Sequence, residues 1–300
     1  MMRDLAAAGL ALLLSAPEVL GAQQRPLKVF ISADMEGVAG TVTGDQLGPG
    51  GFEYERFRRI MTGEVRAAID GARDAGATEI LVADSHGNGE NLLIEDLPAD
   101  ITVVRSWPRP LMMMQGIDST FHAAVFIGYH AGVANPLGVR AHTISSARLQ
   151  DVRLNGRAVS EGAINAAIAA HYGVPVVAVS GDDAAVAEVR AAVGDLEGAV
   201  VKWGYSFHAA RTLVPEAAAR LIREKVAAGV RRRAAFRPAP LRGPIQLEVR
   251  FRFYRPAEML AYLPIVERTD AHTIRYVAPD VIAVSRFIEF LTTYAVTLEP

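Results

Sequence analysis

The chain has 300 residues, 51% of them apolar, which is enough to bury a core as one large domain or two modest ones. Its 31 Lys and Arg nearly balance 33 Asp and Glu, so the basic excess that a nucleic-acid partner calls for is missing. Cysteine is absent, which excludes disulfides, iron–sulfur clusters and thiolate zinc sites and leaves His, Asp and Glu as metal donors.

At the N-terminus, the apolar run Leu5–Leu14 follows Arg3, and small residues lead up to Ala22. This pattern predicts a signal peptide over residues 1–22, with the mature chain starting near Gln23 and exported to the periplasm or the medium. If the leader does not act, the protein stays cytoplasmic. The apolar run is too short to span a bilayer comfortably, so no stable membrane insertion is expected after processing.

From Pro26 the chain alternates strand and helix. "LKVFISAD" reads as a strand and Tyr54–Ala77 as an amphipathic helix with apolar residues at Phe57, Ile60, Met61, Val65, Ala68 and Ile69, ending at Gly76. Strands follow at Thr78–Asp84, Ile101–Ser106 and His122–His130, the last apolar throughout, as a strand covered on both faces should be. Asn155-Gly156 signals a hairpin turn, and Ser160 is placed to cap the helix "SEGAINAAIAAHYG". "VPVVAVSGDD" is a further buried strand, followed by helix Ala184–Val193 and the basic helix "PEAAARLIREKVAAGVRRR".

This order predicts an α/β fold: a largely parallel sheet with helices on both faces, forming a catalytic domain over residues 23–236. The Pro- and Arg-rich stretch "AAFRPAPLRGP" reads as a linker. Beyond it, residues 237–300 mix strands ("IQLEVRFRF", "TIRYVA") with helices (Pro256–Tyr262, Pro279–Thr293) as a smaller α+β part suited to oligomerisation.

The strand ends carry the chemistry. In open α/β sheets, ligands sit in the crevice beyond the strand C-termini. The first strand ends in Asp34 and Glu36, two apart on extended chain and so on one side of it. The second ends in Asp84 and His86, and the fourth in His130. His142 follows in "VRAHTIS", and Glu161 opens the helix after the Asn-Gly turn. Each residue alone has a plain structural reading, such as a turn former, a cap or a core histidine. Their concentration at one sheet edge points instead to a divalent metal held by oxygen and nitrogen donors, zinc being the first choice. More than four such donors suit a pair of metals about 3.5–4 Å apart, as in two-metal hydrolases. Gly37 fits a chain that must leave a crowded site without a side chain in the way.

Taken in order, "SADMEGVAG", "YERFRRIMTGEV", "LVADSHGNGENL", "FIGYHAG", "GVRAHTIS", "LNGRAVSEGAINA" and "VSGDD" resemble the dizinc D-aminopeptidases of the bacterial dipeptide-utilisation type. The resemblance runs from about Lys28 to Arg211 and more weakly to the C-terminus. It implies two zinc ions per subunit, with Asp34 bridging them, Glu36 and His86 completing one site, and His130 and Glu161 completing the other. His142 is then the catalytic residue, stabilising the oxyanion or shuttling a proton. The resemblance further implies an aminopeptidase that removes N-terminal D-amino acids from short peptides or amides, working as a ring-shaped homo-oligomer of stacked pentamers (a decamer) with its sites on an inner channel. One departure is Phe207, where the family usually carries Arg. Lys202 is retained, but a substrate-carboxylate clamp at this place is in question. Read without the resemblance, the same donors also suit another dinuclear metal hydrolase (an amidohydrolase or a phosphoesterase) or an exported metal- or peptide-binding protein.

Overall fold

The computed structural model describes residues 26–294. The expected leader and the start near Gln23 lie outside the described residues. The first half of the chain forms β1 (Lys28–Ala33), α1 (Tyr54–Asp74), β2 (Glu79–Asp84), β3 (Thr102–Val104), β4 (Ala123–Tyr129), β5 (Leu149–Leu154) and β6 (Arg157–Ala158). Next come α2 (Glu161–His171), β7 (Val176–Asp182), α3 (Asp183–Val193), β8 (Glu197–Ser206), β9 (Ala209–Thr212) and α4 (Pro215–Arg231). The chain closes with β10 (Ile245–Phe251), α5 (Tyr254–Leu260), β11 (Val266–Arg268), β12 (Thr273–Ala278) and α6 (Val281–Thr293). Among the described residues, no helix is long and apolar enough to cross a membrane.

Two sheets organise these elements. The larger has the order β3-β2-β1-β4-β7-β8-β9, parallel except for the antiparallel β8–β9 hairpin. Its centre is apolar on both faces because helices and the second sheet cover it. Val29 and Ile31 of β1 face α1 and α4, where Phe57, Met61, Val65, Ile222 and Val226 are buried. Phe30 faces the other way, into a core shared with α2, α6 and the second sheet. Helices on both faces of a mostly parallel sheet are what the β–α alternation predicts.

The smaller sheet is antiparallel, in the order β11-β12-β10-β5-β6. Its strands alternate cleanly: Ile245, Leu247, Val249 and Phe251 of β10 are buried and the residues between them are half-exposed, as a one-faced sheet requires. The hairpin β5–β6, which turns at Asn155-Gly156, joins the C-terminal strands here through five residues of β5. The smaller sheet therefore straddles the division drawn at residue 237. A strand's partner is set by register and packing far along the chain, and periodicity within either segment does not reveal it.

The β8–β9 hairpin and the short β11 are additional to the strands read from sequence. The third strand is shorter than read, and α1 ends at Asp74 rather than Ala77.

Candidate metal centre

The main sheet has its topological switch between β1 and β4: the chain leaves β1 towards β2 and β3, then returns to β4 on the other side. That crevice is where an open α/β sheet binds its ligand. β1 delivers Asp34 and Glu36 to it, β2 delivers His86 and β4 delivers His130. Glu161 arrives as the first residue of α2, whose Ser160 cap accepts from Ala163 N at 3.3 Å. His142 comes from the loop after β4. All six residues read from sequence meet here.

The backbone must crowd to achieve this. Asp34 N donates to Ile127 O at 2.8 Å and Gly37 N to Gly128 O at 2.7 Å, lashing the end of β1 to the end of β4. A Cβ at Gly37 would overlap the Gly128 and Tyr129 carbonyls, and one at Gly128 would overlap the Asp34 carbonyl. Gly37 is thus required by contact between two strand ends, more specifically than the crowding argument from sequence proposes.

Donor atoms fall into two groups, each lying within 4.8 Å: Asp34, Glu36 and His86, and His130, His142 and Glu161. His86 Nδ1 is 2.8 Å from Glu36 Oε2 and 3.2 Å from Asp34 Oδ1. His130 Nε2 is 3.4 Å from Asp34 Oδ2 and 3.3 Å from Glu161 Oε1. Asp34 therefore faces one group with each of its oxygens. His142 Nε2 lies 3.7 Å from Glu161 Oε1, and its ring stacks on His130 at 4.1 Å between centroids. Glu161 is itself held by Ile144 N at 2.6 Å.

The outer nitrogen of each histidine is committed to a backbone carbonyl. His86 Nε2 meets Leu47 O at 2.7 Å, while the Nδ1 atoms of His130 and His142 meet Ala131 O and Arg140 O, both at 2.9 Å. A carbonyl only accepts, so each outer nitrogen carries the hydrogen, and in the neutral ring the inner nitrogen is a bare lone pair. Lone pairs then point at carboxylate oxygens, acceptor against acceptor. Asp34 Oδ2, Glu36 Oε2 and His130 Nε2 are buried without a hydrogen-bond partner. Such an arrangement is balanced by cations, and the donor set fits zinc.

Protons on His86 and His130 meet the same need for positive charge when no metal is bound. Burial, reinforced by the Glu36 carboxylate, pushes Asp34 up to about 7. Burial opposes the charge on Glu36 too, but His86 outweighs it and holds Glu36 well below the usual range. Burial likewise opposes charge on His86 and His130, yet Glu36 and Glu161 respectively raise them well above normal. With three carboxylates gathered in one crevice, the imidazoles serve as the nearest available cations. His142 differs: burial and the His130 charge lower it, which favours the neutral ring.

The site opens into a cavity of about 450 Å³ walled by Trp107, Met112, Met113 and Ile144, with Arg148 and Thr292 also lining it. In the sequence Trp107 reads as a channel-lining or packing residue and Met112–Met114 as a core or interface filler. Lys202 is fully buried and donates to the carbonyls of Glu36, Val38 and Thr41. It therefore braces the ligand loop and is no clamp for substrate. Phe207 lies outside the cavity lining, with its carbonyl accepting from Arg140 N at 3.0 Å. Asp84 is a loop clamp as well, accepting from Asn91 N and Leu92 N at 2.6 and 2.7 Å to shape the turn after His86.

A parallel α/β sheet with clustered nitrogen and oxygen donors at its switch point defines the class: an α/β protein with a candidate metal centre suited to hydrolysis. The family is shown by comparison. Peptidase family M55, described as D-aminopeptidase, matches residues 27–290, and the chain belongs to it. The D-aminopeptidase of Bacillus subtilis (strain 168) is 34% identical over 271 residues, spanning 90% of this chain and 98% of that protein. Among solved structures, the Zn-dependent D-aminopeptidase DppA from Bacillus subtilis, described as a self-compartmentalizing protease, superposes with a TM-score of 0.85. That match has 32% identity and covers 89% of this chain and 97% of the other.

Proposed function

We propose that the protein is a zinc-dependent aminopeptidase that removes N-terminal D-amino acids from short peptides or amides, using two metal ions per subunit. The observation that carries this reading is Asp34, whose two oxygens face different histidine–carboxylate sets at 3.2 and 3.4 Å. Glu36 and His86 would hold one ion, His130 and Glu161 the other, and Asp34 would belong to both. What zinc supplies when bound is Lewis acidity towards the scissile carbonyl and a water of lowered pKa.

The protein's own groups do the rest. His142 presents its Nε2 lone pair beside this set, because its Nδ1–H is spent on Arg140 O. It is the most exposed of the three histidines, with 15% of its side chain accessible against 1% for His130. A neutral ring in that position accepts a proton at Nε2 from the attacking water and passes it to the leaving amine. Trp107, Met112 and Ile144 offer an apolar wall for the side chain of the first residue. The preference for the D-configuration rests on family membership.

A homo-oligomer, read here as a ring, is part of the same proposal. Tyr254, Tyr262, Ile265 and Val277 of the C-terminal part are exposed apolar residues of the kind that subunit contacts cover. Light scattering on the purified chain measures its size. The apolar leader supports export, which N-terminal sequencing of the secreted protein would check.

The deciding assay uses the mature chain, stripped of metal and then reloaded with zinc, on paired D- and L-alanyl amides and on a phosphate ester. Zinc-restored hydrolysis of the D-alanyl amide is expected. Full activity in metal-free protein, or activity on the phosphate ester alone, would end this reading.

A further inference from the structure

Lys202 stands inside the apolar strand β8, between Val201 and Trp203, and its side chain is fully buried. Its Nζ has three donors and meets three carbonyls: Glu36 O, Thr41 O at 2.7 Å and Val38 O at 3.3 Å. No carboxylate oxygen lies within ion-pair distance of it among the described residues, so its direct partners are backbone carbonyls, while the carboxylates of Asp182, Glu64 and Glu36 favour its charge from further away. All three carbonyls belong to the segment between β1 and α1, and one belongs to the candidate ligand Glu36 itself.

The same segment is gripped again nearby. Thr212 Oγ1, on β9 of the same hairpin, accepts from Gly40 N at 2.9 Å, and Glu64 Oε1 of α1 accepts from Ala39 N at 2.9 Å. Without such restraints, a loop carrying two adjacent carboxylates towards a third would relax outwards under their mutual repulsion. Keeping an ammonium away from water costs free energy, and Lys202 lines no part of the cavity that would use it for substrate.

We propose that Lys202 is a positioning residue for the metal centre: its ammonium fixes the backbone from Glu36 to Thr41 and so presets Asp34 and Glu36 for the metal. This rests on the metal-centre reading above. The β8–β9 hairpin, which supplies no metal ligand, thereby becomes a working part of the site.

The test is zinc affinity, measured by competition with a chromophoric chelator on the full chain, for wild type, Lys202→Met and Lys202→Gln. Circular dichroism monitors the fold of each variant. Lys202→Met keeps the apolar stem and removes all three donors. Zinc binding is expected to weaken roughly 10- to 100-fold, the usual consequence of losing a group that orients a ligand. Lys202→Gln restores two N–H donors and should recover part of that loss, a rescue that general loosening of the core would not produce. Thr212→Val, which removes the neighbouring grip, should weaken binding by a smaller factor and serves if both Lys202 variants fail to fold. A folded Lys202→Met with wild-type affinity, or a Thr212→Val with wild-type affinity when it is the only folded variant, overturns the proposal. A wild-type chain that binds no zinc would sink the metal-centre reading itself, a result distinguishable from either.

Discussion

At the scale of single residues, position among the carboxylates, rather than tautomer, separates ligands from helper. Each spends its outer N–H on a carbonyl, but only His86 and His130 are wedged between carboxylates of the cluster. His142 stands at the edge, stacked on His130. His142→Ala should therefore retain zinc, measured by mass spectrometry, while turnover falls roughly 10²- to 10⁴-fold. His86→Ala and Glu36→Ala should lose zinc as well as turnover. Loss of zinc from His142→Ala would instead make it a ligand. Glu64 offers a test of stability. Burial pushes its carboxyl up to about 7, against the opposing effects of the Ala39 N–H and Lys202. An acid whose folded pKa is raised binds more protons when folded, so its contribution weakens as pH climbs from about 4.5 towards 7. Glu64→Gln should thus gain stability over wild type at pH 8, on the order of 1–3 kcal/mol, and little at pH 4. Urea unfolding at the two pH values reads this directly.

At the scale of elements, the centre depends on how closely β1 and β4 end against one another. Gly37 and Gly128 permit a backbone approach that any side chain would block. Gly37→Ala should push the Asp34–Glu36 segment off β4, destabilising the fold by roughly 1–3 kcal/mol, as overpacking does, and weakening zinc binding together with it. Chelator competition and thermal unfolding on one sample would separate this from a pure stability effect. The loop around His142 is similarly constrained. Arg140 and Ile144, at φ of 58° and 65°, turn the chain sharply on either side of it. A β-branched residue in the left-handed region is costly and persists only where its surroundings over-determine it. Here the Ile144 N–H is fixed on Glu161, so the strained turn keeps His142 beside the second donor group.

At the scale of the whole molecule, one centre ties together the ends of three strands and the start of a helix. A metal bound only by the folded chain adds its binding free energy to stability. Stripping zinc should therefore lower the melting temperature, and reloading should restore it in a concentration-dependent way. A scan that is indifferent to zinc would contradict the assignment. The two sheets are also interdependent. Leu149, Val152 and Leu154 of β5 bury themselves against β10 and α6 in one continuous core. A chain ending at residue 236 would expose them and should not fold cooperatively, which denaturant titration of that truncation would show.

Much of this was legible locally. A strand that must be buried yet ends in Asp-x-Glu, Asp-x-His or His is conspicuous in hydropathy alone, and Asp34, Glu36, His86 and His130 could be named from it, whereas the roles of His142 and Glu161 come from the family resemblance. The α–β alternation likewise points to a parallel sheet, because side-chain periodicity is a property of a few neighbouring residues. Strand order, the oxygen of Asp34 that faces each histidine, and the hairpin's place in the smaller sheet are closures across tens to hundreds of residues, and no local pattern encodes them. Lys202 shows the limit best. In sequence it is one charge in an apolar run, read only as a retained family residue whose part in a substrate clamp is in question. Only the folded chain brings its ammonium to three carbonyls 161 to 166 residues away, where the need to satisfy buried dipoles and to hold carboxylates together gives that charge its purpose.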